Sequence, residues 1–61
     1  MKVDYNKIYE YLKTKSGKVV SASNIAYAIG ADRIYGATMT KLVRDGVIDP
    51  MPAQGYYRVI L

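Results

Sequence analysis

The sequence predicts a small α+β domain with three helices, a short strand between the first two helices and a C-terminal two-stranded β-hairpin. Three observations lead to this class. Apolar residues recur at helical spacing through residues 5–44, a glycine follows each helical segment, and residues 47–61 are rich in turn-forming and β-prone residues. The chain has 61 residues, a length typical of one small domain, so we expect a single domain over residues 1–61.

The first helix is predicted from Asp4, a suitable N-cap, to about Lys15. A stripe on this segment recurs at helical spacing and is expected to face the core: Tyr5, Ile8, Tyr9 and Leu12. Gly17 ends the helix, because glycine readily adopts the left-handed conformation found after a last helical turn. Residues 18–20 form a short β-prone segment, which we expect to pair with a strand of the later hairpin.

The second helix is predicted over about residues 22–29, with Ser21 as its N-cap and Gly30 as the residue that breaks it. Its inner stripe consists of Ala22, Ile25, Ala26 and Ile29. Tyr27 lies on the opposite side of the helical wheel, so its ring is expected to be exposed.

The third helix is predicted over about residues 32–45, with Asp32 as its N-cap and Gly46 after its end. Its inner face consists of Ile34, Tyr35, Thr38, Met39 and Leu42. Its outer face is basic and carries short side chains: Arg33, Ala37, Thr40, Lys41 and Arg44. Such a face suits the major groove of DNA, and it is equally the pattern of a solvated surface helix.

The hairpin is predicted from Val47 onward, with a second strand over residues 56–61 and a turn-rich segment between them. This segment contains Pro50 and Pro52, which are expected at a sheet edge or a turn because proline cannot donate a ladder hydrogen bond. Arg58 is the only basic residue of residues 47–61. If Arg58 points to solvent, Tyr56 lies on the same outer face.

The composition argues against catalysis and against a metal site. The chain has no cysteine and no histidine, and its five carboxylates are scattered, so we expect no enzyme, cofactor or metal centre. No apolar run is long enough to span a bilayer and no signal-peptide pattern is present, which predicts a cytoplasmic protein without membrane contact. Nine Lys and Arg against five acids give a formal charge of +4, a field that attracts polyanions.

The order of the elements and their local sequence resemble winged helix-turn-helix domains. The run from Val20-Ser21 through Ile25-Ala26 to Ile29-Gly30, and the basic helix that ends in residues 42–48, are similar to the middle of many bacterial winged-helix regulators. The resemblance covers about residues 5–61. Two features depart from the family pattern. The segment 30–46 is about one residue shorter, and the hairpin, which corresponds to the wing of these domains, is short and almost uncharged.

This resemblance implies a minimal transcriptional regulator of bacterial or phage type that binds double-stranded DNA in the nucleoid, with the third helix in the major groove. The expected contacts on that helix are Arg33, Gly36, Ala37, Thr40, Lys41 and Arg44. The second helix adds Ser21, Ser23 and Asn24, preceded by Lys18, and the hairpin adds Tyr56 and Arg58. For Ser21 the favoured role is helix capping, alone or together with a phosphate contact.

These residue types suit DNA for physical reasons as well. Arg33, Lys41 and Arg44 can neutralise phosphates, and arginine can also pair with a guanine edge. Ala37 is short enough to let the helix approach, and its methyl group can contact a thymine methyl. Gly36 destabilises a helix interior by up to about 1 kcal/mol relative to alanine. The glycine either allows a backbone, a phosphate or another helix to come close, or it has no role.

A protein-interaction module on the same fold is the alternative. Seven tyrosines and a weakly charged hairpin fit an adaptor, because tyrosine and methionine are enriched at interfaces. The contact set would then be Tyr11, Tyr27, Met51 and Tyr56. A domain of this size offers little area for tight specific binding to DNA as a monomer. We therefore expect a homodimer, through the first helix or the hairpin edge, or a larger protein partner.

Overall fold

The caps predicted for the first two helices are present in the computed structural model, which describes residues 3–61. The helices are α1 (Tyr5–Thr14), α2 (Ala22–Ile29) and α3 (Gly36–Arg44), and the strands are β1 (Val19–Ser21), β2 (Ile48–Pro50) and β3 (Tyr56–Val59). The Asp4 side chain accepts hydrogen bonds from the backbone N–H groups of Asn6 and Lys7, at 3.0 and 3.3 Å. Gly30 ends α2 in the left-handed conformation, with φ of 72°.

The three strands form one antiparallel sheet in the order β1-β3-β2. Val20 pairs with Tyr57 on one side of β3, and Ile48 pairs with Val59 on the other. The short segment before α2 is therefore a true edge strand, which confirms the pairing predicted for it. Pro50 lies in β2, the opposite edge strand, where its missing N–H disrupts no interior ladder.

The core receives at least one side chain from every helix and strand. Its members are Ile8, Leu12, Val20, Ile25, Ala26, Ile34, Met39, Leu42, Ile48 and Val59. The stripes predicted for α1 and α2 face the core, and four of their residues are partly buried at the margin of the core: Tyr5, Tyr9, Ala22 and Ile29. The molecule is thus a small α+β domain of three helices and a three-stranded antiparallel sheet, an arrangement compatible with a winged-helix layout.

The predicted start of the third helix is wrong. The helix begins at Gly36, not at Asp32, and residues 31–35 are not helical. At the start of this connection, the Ala31 N–H donates a hydrogen bond to the Ala26 carbonyl of α2 at 2.9 Å. Further along, the connection places the Ile34 side chain in the core.

Two physical reasons favour the later start. A non-helical residue can span more than twice the 1.5 Å rise of a helical one, so the six residues 30–35 can cross from α2 to the start of α3. A start at Gly36 also places the glycine in the first turn, which avoids the cost of about 1 kcal/mol that it carries in a helix interior.

None of the helices in residues 3–61 is long and apolar enough to cross a lipid bilayer, and the longest of them, α1, has 10 residues.

Candidate nucleic-acid interface

The outer face of α3 carries four exposed residues at helical spacing: Ala37, Thr40, Lys41 and Arg44. Their spacing of three, four and seven residues places them on one side of the helix. Thr38, Met39 and Leu42 lie on the other side and are buried, so the helix cannot rotate without exposing apolar surface. The packing therefore holds this face toward solvent.

An open groove of about 580 Å³ separates α3 from the hairpin and from the start of α2. Thr40 and Arg44 line it from α3, Gly36 lines it at the helix start, and Pro50 and Tyr57 line it from the sheet. The groove brings together three of the residues that the sequence predicts as DNA contacts. It offers a hydroxyl and a guanidinium beside a helix end that carries no side chain.

Lys41 is not an independent positive charge. Its ammonium Nζ lies 3.0 Å from the Asp45 Oδ2 atom, which also accepts a hydrogen bond from the Tyr9 hydroxyl at 3.0 Å. The same ammonium lies 5.3 Å from the centroid of the Tyr5 ring. Lys41 is thus directed toward α1, and the Asp45 carboxylate offsets its charge.

The ionisation of this cluster follows from its hydrogen bonds. The bonds from Lys41 and Tyr9 stabilise the carboxylate and lower the pKa of Asp45. The hydrogen bond to Asp45 raises the pKa of Lys41 above 10.5 and the pKa of Tyr9 above 10.0. The charge states are therefore those of an ion pair with a neutral phenol at neutral pH.

Arg33 lies outside α3, which corrects its predicted place on the outer face of that helix. It belongs to the connection that precedes Tyr35, the N-cap residue of α3. Its guanidinium carbon Cζ lies 4.8 Å from the centroid of the Tyr35 ring, a stacking distance. Tyr35 was predicted to face the core, and this prediction is wrong, because its side chain is 59% exposed.

Two of the three polar residues predicted at the start of α2 are occupied by capping. The Ser21 Oγ atom accepts from the Asn24 N–H at 3.2 Å, and the Asn24 Oδ1 atom accepts from the Ser21 N–H at 3.0 Å. This reciprocal pair is a capping box. Ser23 is exposed and takes no part in it, so its hydroxyl remains available to a ligand.

The hairpin presents the two predicted contacts Tyr56 and Arg58 to solvent. Arg58 pairs across the strands with Val19 on one side and Asp49 on the other. The carboxylate of Asp49 reduces the positive potential of this face. Lys18 is exposed directly before β1, and its backbone carbonyl accepts from the Val59 N–H at 2.8 Å, which fixes the position of its backbone against β3.

The four candidates for a protein interface differ in exposure, and Tyr56 on the hairpin is 49% exposed. Tyr27 is 91% exposed, which confirms its predicted orientation. Tyr11 and Met51 are half-buried, and Tyr11 packs against the core. Only Tyr27 of this set therefore offers nearly its whole side chain to a partner.

Sequence reasoning missed Asp45 and Tyr9 as neighbours of the candidate interface. The spacing of four residues between Lys41 and Asp45 is a signal for an ion pair on one helix face. No sequence signal announces the contact with Tyr9, since it joins residues 36 positions apart.

Comparison of the chain with protein-family models, with curated proteins and with solved structures finds no match.

Proposed function

We propose that this protein is a winged helix-turn-helix domain that binds double-stranded DNA with α3 in the major groove. The observation that carries the proposal is the exposed face of α3. It has a glycine and an alanine in its first turn, a threonine and an arginine further along, and a buried apolar back. The charge of +4 supplies attraction to the phosphates.

Each group on this face has a distinct role in the proposed complex. Gly36 and Ala37 let the helix approach the base edges, where the Ala37 methyl group can contact a thymine methyl. Thr40 donates to a base or a phosphate. Arg44 pairs with a guanine edge or neutralises a phosphate. Lys41 contributes less, because Asp45 already binds its ammonium at 3.0 Å.

The remaining contacts of the proposed complex lie on either side of α3. Ser23 donates to the backbone from the start of α2, with Lys18 nearby, and Tyr56 and Arg58 approach it from the hairpin. A protein of this kind acts as a small transcriptional regulator on the nucleoid in the cytoplasm. Occupancy of a site by a homodimer would supply the area that tight specific binding requires.

The test is a titration of a mixed-sequence duplex at low and moderate salt with the parent protein, Arg44→Ala and the control Lys13→Ala. The logarithm of the binding constant should fall linearly with the logarithm of salt concentration. Arg44→Ala is expected to weaken binding by about tenfold or more and to reduce the slope by about 0.9. Lys13 lies on α1, so its replacement should leave both unchanged. Absence of duplex binding by the parent would overturn the proposal.

A protein-interaction module is the second candidate function, and the 91% exposure of Tyr27 favours it. Aromatic side chains held in solvent on a helix commonly anchor protein interfaces. If this candidate is correct, Tyr27→Ala abolishes the capture of a protein partner, whereas the parent and Arg44→Ala bind duplex DNA equally weakly. Partner capture that survives substitution of both Tyr27 and Tyr56 would exclude it.

A further inference from the structure

The hairpin of β2 and β3 has one face in the core and one face open to solvent. Ile48 and Val59 pair with each other and are fully buried, so alternation along the strands turns their neighbours toward the other side. We name this side the outer hairpin face, and its members are Val47, Asp49, Met51, Tyr56, Arg58 and Ile60. Tyr56 and Ile60 are large side chains that are 49% and 50% exposed, so the fold covers this face incompletely.

The outer hairpin face consists of three rows that cross the two strands. Asp49 lies directly opposite Arg58 in the middle row. A row of apolar or aromatic side chains lies on either side of this charged pair: Met51 with Tyr56, and Val47 with Ile60. In both of these flanking rows a backbone N–H donates to the opposite carbonyl at 2.9 Å, which fixes the register of the rows.

The two charges of the middle row are not used by the fold. In the part of the chain that the structure describes, neither Asp49 nor Arg58 forms an ion pair or a side-chain hydrogen bond. Both residues are exposed. The face therefore offers one carboxylate and one guanidinium, side by side, to a partner that carries the same two groups in the opposite order.

A second copy of the chain meets this requirement. A two-fold axis that runs parallel to the strands, midway between β2 and β3, exchanges the positions of the two strands. Arg58 of one copy then faces Asp49 of the other, and the reverse contact forms by symmetry. The same rotation places each flanking row against its counterpart in the other copy. Two sheets that pack face to face with roughly aligned strands are a common arrangement in proteins.

Other surfaces for a dimer are less suitable. The edges of the sheet resist the addition of a strand, because the Ser21 N–H of β1 already donates to the Asn24 Oδ1 atom at 3.0 Å and Pro50 of β2 has no N–H. The fully exposed residues of α1 are all polar: Asn6, Lys7, Glu10, Lys13 and Thr14. These observations disfavour both dimer contacts expected from the sequence, the hairpin edge and the first helix.

We propose that the outer hairpin face binds a second copy of this chain in a two-fold symmetric dimer with reciprocal Arg58–Asp49 ion pairs. This inference does not rest on DNA binding. In the dimer, Tyr56 and Arg58 contact the other copy in place of the DNA backbone. Six side chains from each copy are far fewer than the 20–30 residues per side that are typical of a standard interface, so the dimer is weak.

The test is sedimentation equilibrium without DNA, from micromolar to millimolar protein concentration. The parent should show an equilibrium between monomer and dimer. Arg58→Glu should lower the association constant about tenfold or more, because it places a carboxylate opposite Asp49 of the other copy. Asp49→Arg should lower it in the same way, opposite Arg58. Lys13→Glu makes the same change of charge on α1 and should associate at least as strongly as the parent.

A mixture of the two charge variants separates a dimer contact from a role in the fold. When Arg58→Glu and Asp49→Arg chains are mixed in equal amounts, both symmetry-related contacts bring opposite charges together, so dimers should form again. The double variant Arg58→Glu/Asp49→Arg should associate on its own, like the parent. Damage to the fold of either single variant would not be repaired by mixing. Circular dichroism verifies that each variant is folded.

The flanking rows are tested by Tyr56→Ala, with Tyr27→Ala as the matched control on α2. Tyr56→Ala should weaken the dimer, since tyrosine commonly contributes strongly to interfaces, and Tyr27→Ala should not.

Any one of three results would overturn the inference. These are a parent that stays monomeric up to millimolar concentration, an Arg58→Glu variant that associates like Lys13→Glu, and a mixture of the charge variants that stays monomeric. A monomeric parent that binds duplex leaves the proposed DNA binding in place. A dimeric parent that binds no duplex overturns the DNA binding and supports the present inference.

Discussion

The beginning of α3, at Tyr35 and Gly36, carries no side-chain cap, whereas its end is tied to α1 through Asp45, Lys41 and Tyr9. The beginning is open to solvent, and its first two helical residues, Gly36 and Ala37, have no side chain or a short one. The end is held by one long-range hydrogen bond and one ion pair. The difference shows that the positive charges of this region are not equivalent: Lys41 is paired with Asp45 at the end of the helix, whereas Arg33 and Arg44 form no ion pair within residues 3–61.

The contrast also depends on the buried side of α3. Leu42 is fully buried between the two ends, so it anchors the helix whatever binds its outer face. Thr40 lies on that outer face and is exposed. The following predictions test whether the end of α3 serves the fold and its beginning serves a ligand.

The largest effect is expected for Leu42→Ala. Removal of a fully buried leucine side chain leaves a cavity in the core and should lower the free energy of unfolding by about 2–5 kcal/mol. The measurement is equilibrium unfolding in urea, with Thr40→Ala as the control on the exposed face of the same helix. A loss of similar size for Thr40→Ala would show that the outer face is part of the fold rather than a surface for a ligand.

The next largest effect is expected for Asp45→Asn, on the salt dependence of duplex binding. It releases the Lys41 ammonium, so the slope of log binding constant against log salt should increase in magnitude by about 0.9, one further phosphate contact. Glu10→Gln removes a carboxylate on α1 without releasing Lys41 and is the control.

The double variant Asp45→Asn/Lys41→Gln should have the same slope of log binding constant against log salt as the parent. A lower slope for Lys41→Gln in the parent background would contradict this account, because Lys41 would then already contact a phosphate.

The smallest effect is expected for Gly36→Ala. An added Cβ atom at Gly36 meets nothing within 4 Å, and its φ is not positive, so alanine should stabilise the fold by about 0.4–1 kcal/mol through the unfolded chain. Gly46→Ala is the matched control, since Gly46 has a φ of 77° and alanine there should destabilise.

Duplex affinity of Gly36→Ala separates fold from function. Weaker duplex binding by this more stable variant would identify the glycine as a requirement of the ligand. Lower stability would instead show that the beginning of α3 is constrained by the fold.

The elements themselves could be predicted because their signals are local. Asp4, Ser21 and Gly30 act on backbone groups within four residues of themselves, so the limits of α1 and α2 follow from neighbouring residues alone. The hairpin was likewise indicated by local signals, the β-prone residues 56–61 and the turn-rich segment that contains Pro50 and Pro52. The capping role favoured for Ser21 was also confirmed. Its reciprocal hydrogen bonds with Asn24 were not predicted.

The start of α3 could not be predicted because the relevant constraint is not local. Asp32 has the chemistry of an N-cap, but the chain must first cross from α2 and bury Ile34. Sequence periodicity was satisfied by either start, since the inner residues recur at helical spacing in both cases. The observed start leaves Arg33 outside the helix and makes Tyr35 the N-cap residue.

The sequence by itself determined the class of fold, the limits of α1 and α2, and the residues that α3 turns toward solvent after Gly36. These features depend on apolar spacing and on short-range hydrogen bonds, which are properties of neighbouring residues. Only the tertiary structure decided that Tyr9 joins the Lys41–Asp45 pair and that Arg33 lies over the Tyr35 ring. The Tyr9–Asp45–Lys41 cluster and the Arg33–Tyr35 stack depend on where the helices and the connection to α3 come to lie, and that is set by the packing of the whole core.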